Sequence, residues 1–134
     1  MTPEQKLKWA VMAHAAQLGD SVTEPPYPCP DIDALYDAAD AADDGDLQDA
    51  RSEVREGQVE TGLQTEFSRH YESKAVAMQM PDGSWVGWTY WYGGGKHAEP
   101  GAIEWMDEAY DLDCTEEEKV MVVRTFSIPA AAVG

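Results

Sequence analysis

The sequence predicts one α+β domain. Its apolar residues recur at helical spacing through residue 57 and change to a period near two after residue 69, and Pro81-Asp82-Gly83 places a tight turn inside the strand-like half. A chain of 134 residues with 43% hydrophobic residues builds one core and is too short for two ordinary domains.

The first element is a helix from Pro3. Thr2 reads as its N-cap, Pro3 fits the first helical position, and Gln5 closes a capping box. Leu7, Val11, Ala15 and Leu18 form its apolar stripe, Trp9 lies off it, and Gly19-Asp20 ends it. The segment Glu24-Pro25-Pro26-Tyr27-Pro28-Cys29-Pro30 is a stiff connector, since proline removes donors and pushes the preceding residue toward extended geometry. A second helix is predicted from Asp31, with Ile32, Leu35, Ala38, Ala39 and Ala42 inward and Asp33, Asp37, Asp40 and Asp44 outward. Gly45 breaks it. A third runs from Asp46 to Glu56 with Leu47, Ala50 and Val54 inward, and Gly57 ends it. Residues 58–68 show no clear period.

The remaining half, 69–128, reads as strand, strand, helix, strand. His70–Met80 and Ser84–Tyr92 form a hairpin across the Pro-Asp-Gly turn, where proline presets the first angle and glycine accepts the left-handed one. On the second strand, Trp85 and Trp91 point to one side and Trp88, Tyr90 and Tyr92 to the other, so one set packs in the core and the other is a candidate contact surface. A helix is predicted over Glu99–Leu112, a Val-rich strand over Lys119–Ile128, and a frayed tail over 129–134. The expected architecture is therefore N-terminal helices plus a three-stranded antiparallel sheet with the Glu99 helix across one face.

Charge sets this chain apart. Twenty-six acids against nine Lys and Arg give a formal charge of −17, which repels a phosphate backbone and anionic headgroups alike. Direct nucleic-acid binding and membrane association are thus excluded as expectations, and a basic partner is favoured. Residues 31–60 hold eleven acids with only Arg51 and Arg55 in return, and residues 99–118 hold nine acids and no base. With no apolar run near the roughly 20 residues that span a bilayer and no secretion-signal pattern at the N-terminus, a cytosolic location is expected. Cys29 and Cys114 have no CxxC partner and read as reduced thiols.

Catalytic and cofactor signals fail on spacing. Asp40 to Glu53 evokes a calcium loop, but aligning Gly45 to the required glycine puts Ala42 and Arg51 where two ligands belong. Gly93-Gly94-Gly95-Lys96-His97 lacks phosphate-loop spacing and is followed by Glu99, which would repel a phosphate. His97-Ala98-Glu99 has no Pro-Cys-x-x-Cys half to make a zinc deaminase site. His14 and His70 have no neighbours at metal-ligand spacing. No cofactor and no catalytic activity are expected, a small enzyme with an unrecognised site being the further alternative.

The acidic rows carry the functional expectation. Carboxylates at i and i+4 on a helix stand about 6 Å apart along the axis, on the scale of consecutive phosphates. Asp33, Asp37, Asp40 and Asp44, with Asp43 and Asp46 beside them, form the first row, and Glu104, Glu108 and Asp111 form the second. Such rows suit the basic groove of a nucleic-acid-binding protein or complex; the plain alternative is a solvated helix face. A second alternative is an aromatic sheet face, Trp88, Tyr90 and Tyr92 or Trp85 and Trp91, that docks a protein.

The block Tyr71-Glu72-Ser73-Lys74, then Pro81-Asp82-Gly83-Ser84-Trp85-Val86-Gly87-Trp88-Thr89-Tyr90-Trp91-Tyr92-Gly93-Gly94-Gly95-Lys96-His97, resembles small proteins of bacterial phages and prophages, over about residues 69–126. No activity comes with that resemblance. Size and acidity are similar to those of anti-CRISPR and anti-restriction proteins that imitate DNA. That likeness implies an inhibitor of a host defence complex in the bacterial cytosol, and it transfers no individual residue.

Overall fold

A computed structural model describes residues 1–95 and 99–129. The expected readings of Lys96 and His97 and of residues 130–134 lie outside the described residues. The fold is α+β: three helices cover one face of a four-stranded antiparallel sheet, one strand more than the sequence predicts.

Helix α1 spans Pro3–Leu18 and carries the full capping box, with the Thr2 hydroxyl accepting from the Gln5 amide and the Gln5 side chain accepting from the Thr2 amide. Leu7, Val11 and Ala15 are completely buried, whereas Leu18, at the frayed end of the stripe, is exposed. Trp9 turns away from that stripe. Its indole N–H donates to the Pro25 and Pro26 carbonyls, each at 3.1 Å, and its ring meets Tyr27 edge-on, fastening the proline connector to α1. Because two otherwise unpaired amides depend on the cap, Thr2→Ala is expected to cost about 1 kcal/mol, measured as a lower urea midpoint with an unchanged slope.

Helix α2 spans Ile32–Ala41. It is turned by one residue from the predicted orientation. Tyr36, four residues from Ile32, is buried, while Leu35 and Ala38 face outward. The cause is Tyr36 itself, whose ring sits beside the cations of Lys8 and Arg51 at 5.6 and 5.5 Å and whose hydroxyl accepts from Arg51 Nε at 2.8 Å. Asp43 then adopts a left-handed conformation, φ +53°, which a short polar side chain tolerates. Helix α3, Gly45–Arg55, follows at once, with Leu47, Ala50 and Val54 buried as predicted. The break expected at Gly45 thus falls at residues 42–44, and Gly45 is the first residue of α3.

Strand β1, Val59–Glu60, pairs with β2, Glu72–Gln79, which pairs with β3, Trp85–Tyr92, which pairs with β4, Tyr110–Leu112. The hairpin turn closes through the Gly83 amide to the Met80 carbonyl and the Met80 amide to the Ser84 carbonyl. Val76, Val86 and Trp88 point at the helices and join Leu7, Val11, Leu47 and Val54 in one core.

Two predicted elements are absent. Residues 99–112 do not form a helix: a single 3-10 turn over Pro100–Ala102 is followed by irregular chain and then β4. Gly101 weakens a helix at its start. Gly87 completes the alternative. A Cβ there would meet the Leu112 and Tyr110 side chains at 2.6 and 2.7 Å, so glycine leaves the room that these two side chains of β4 fill across β3. Lys119–Ile128 is likewise not a strand of this sheet, because β4 already holds the edge of β3 that it would need. No described helix is long and apolar enough to cross a membrane.

Candidate functional site

The acidic residues of 31–60 do not form one row. Asp44 has left α2 to become the N-cap of α3, accepting from the Leu47 amide at 2.9 Å, a bond that holds its carboxyl below the usual range. Asp33 accepts from Lys8 Nζ at 2.9 Å and from Gln5 at 3.0 Å, and the Lys8 bond first, then the Gln5 bond, lower its pKa. Burial works to lower the Lys8 ammonium, but the hydrogen bond to Asp33 and the charges of Asp33, Glu4 and Asp37 prevail and raise it. Asp40 is bound by Arg51 at 2.7 Å. Thus two of the three carboxylates that remain outward on α2 are already partnered, and such exposed pairs take charge out of play more than they add stability.

What is left forms a corner. Asp43, Asp44 and Asp46 stand at the turn between α2 and α3, and Asp49 follows one helical turn beyond Asp46. Asp46 accepts from the Ser21 hydroxyl at 2.9 Å and Asp43 from the Gln48 amide, neutral partners that leave the charge in place. Asp37 and Asp49 are exposed and enter no ion pair among the described residues, though the charge of Asp37 acts on Lys8.

The second predicted row does not exist as such. Glu104 lies in extended chain before Trp105, Glu108 in a turn, and Asp111 on β4, where it pairs with Lys6 at 3.2 Å. The fold nevertheless brings part of it to the first cluster. Glu104 shares a cleft of about 390 Å³ with Glu4, Asp37 and Asp40, floored by Tyr36 and flanked by Lys8 and Arg51. Sequence reasoning missed Tyr36, Lys8 and Arg51. Scarcity was the available signal: in a chain with nine bases among 26 acids, each base on a helix is expected to organise carboxylates around it.

The aromatic strand resolves into two roles. Trp88 is completely buried and donates its indole N–H to the Arg55 carbonyl at 2.9 Å, so it belongs to the core and not to a contact surface. Tyr90 and Tyr92 share its side of the strand, stacked at 5.6 Å under Lys74, with the Arg55 guanidinium 4.7 Å from the Tyr90 ring. They are half-buried rather than open. The opposite face carries Val59, Ala77, Trp85, Trp91, Tyr110 and Leu112, and no helix among the described residues crosses it.

Among the described residues, no group of three or more His, Cys, Asp or Glu is placed to hold a metal ion. His14 pairs with Glu53 on α3. Cys29 is buried and Cys114 exposed. No protein-family model, curated protein or solved structure matches the chain.

Proposed function

We propose that this protein is a non-catalytic inhibitor from a phage or other mobile element, which presents its acidic α2–α3 corner to the basic nucleic-acid groove of a host defence complex. The observation that carries this reading is the uneven compensation of charge. Lys6, Lys8, Arg51 and Lys74 are each tied to a carboxylate of the body, while Asp43, Asp46 and Asp49 form no ion pair among the described residues. A basic groove meets this corner as it meets phosphates, through long-range attraction that speeds encounter and fades with salt.

The test removes the charge of the corner. Asp43→Asn, Asp46→Asn and Asp49→Lys combined keep a residue that tolerates the left-handed angle at 43 and an acceptor for the Ser21 hydroxyl at 46, so the melting temperature should move little. Pull-down from a bacterial lysate carrying CRISPR and restriction systems is expected to recover a nucleic-acid-binding complex at low salt, to lose it at high salt or when DNA is added, and to fail with the triple variant. A partner held equally well by the variant and at high salt would refute the groove reading. That result would favour a second reading, in which the open sheet face bearing Trp85 and Trp91 docks a protein and acidity serves solubility.

A further inference from the structure

The strand predicted over Lys119–Ile128 is present as sequence and absent from the sheet. Val120, Val122, Phe126 and Ile128, which share one side of an extended chain, are 95, 77, 87 and 79% exposed. So large an apolar surface on a short segment of high β-propensity is unstable in water unless something covers it. The same molecule carries an apolar surface of the opposite kind. A groove of about 340 Å³ on the open sheet face is walled by Val59, Leu63, Ala77, Trp85, Leu112 and Cys114, drawn from all four strands and the segments that follow β1 and β4.

Charge says which two bodies meet. Every one of the 26 acids lies before residue 119, and the only charges after it are those of Lys119 and Arg124. The segment is thus a basic, apolar strand on an acidic body, and it is complementary to any other copy of that body. It is poorly placed for its own groove. The chain leaves that groove at Thr115 and runs exposed from Glu116 to Pro129, so it would have to reverse over its own exit. Fully extended, residues 116–128 reach roughly 40 Å, enough to cross to a neighbour.

The geometry points to a second copy of this chain as the occupant: the Lys119–Ile128 segment of each protomer lies in the sheet-face groove of the other. The exchange is reciprocal, the same patch serves both copies, and the assembly closes at two. Val120, Val122, Phe126 and Ile128 face the groove, and Arg124, which falls on the same side of the extended segment, meets the carboxylates that line it, Glu60 and Asp113. The acidic corner at α2–α3 stays on the far side of the sheet, so the dimer would display two of them.

Sedimentation velocity on the full-length chain tests this directly. At tens of micromolar the mass expected is that of a dimer, and Phe126→Asp is expected to return it to the monomer with at least a tenfold weaker association. Because Phe126 makes no core contact, the circular dichroism spectrum and the melting curve of the variant's body should be retained. A monomeric wild-type chain would overturn the proposal, whether the segment then folds onto its own sheet or stays free. So would a dimer that survives Phe126→Asp, or an assembly that grows beyond two.

Discussion

Trp88→Ala is expected to unfold most of this protein at temperatures where the parent is native. The side chain is completely buried where β3 meets α3, in contact with Trp105 at 5.5 Å between ring centres. Removing so large a core ring costs about 3–5 kcal/mol, and the loss goes further here because the indole N–H is the partner of the Arg55 carbonyl. That carbonyl is among the last of α3, a group with no acceptor role left inside the helix, and burying it unpaired costs about 1–3 kcal/mol more. Against a total stability of roughly 5–15 kcal/mol, little remains. Trp88→Phe separates the two contributions: it keeps most of the buried ring and deletes only the donor. Thermal unfolding followed by circular dichroism should rank parent, Trp88→Phe and Trp88→Ala in that order. Equal losses for both variants would place the whole effect in the hydrogen bond.

Trp88 also illustrates what was legible in the sequence and what was not. Period two over 84–92 identifies the strand and sorts its aromatics correctly into two sets, because alternation follows from the pleat alone. Which set faces the core depends on the partner strand and the helices. On β2 the bulkier residues Val76 and Met78 share the side of Val86 and Trp88, while Ala75, Ala77 and Gly87 share the other. Bulk facing the helices was a usable signal, though a local one. The capping box, the α3 stripe and the Pro-Asp-Gly hairpin were legible for the same reason: each is fixed by residues a few positions apart. The errors fall where a distant contact prevails. Arg51 and Lys8 rotate α2 toward Tyr36, and Gly87 draws Tyr110–Leu112 into the sheet in place of Lys119–Ile128. The candidate site shared this fate. Its acidic content was evident from composition, but the row Asp33, Asp37, Asp40, Asp44 assumed a continuous helix, and the left-handed Asp43 ends it.

Gly57→Ala is the second change expected to be severe, and its mechanism is independent of burial loss. Gly57 joins the acidic helices to the sheet: its amide donates to the Val54 carbonyl, and the next amide, of Gln58, donates to the Ala77 carbonyl at 2.9 Å. Its φ of +77° costs an L-residue about 1–2 kcal/mol. The added methyl would also lie 2.6 Å from Val76 Cβ and 2.9 Å from Cγ2, inside any permitted contact. Val76 is 1% exposed and β-branched, so it has neither a free rotamer nor space to retreat. Overpacking of this kind adds about 1–3 kcal/mol, for a combined loss of roughly 2–5 kcal/mol. Gly62→Ala is the matched control. Its φ is +75° but nothing lies within 4 Å of the new methyl, so it reports the backbone strain alone. Urea unfolding should therefore show a modest loss for Gly62→Ala and a loss larger by the steric share for Gly57→Ala. Equal losses would mean that Val76 can give way, and that the helices are less rigidly set on the sheet than the contact distances imply. The difference bears on function as well. Asp43→Asn, Asp46→Asn and Asp49→Lys together should abolish partner binding with the fold intact, whereas Gly57→Ala should reduce both together, because the corner is positioned by the junction that Gly57 makes possible.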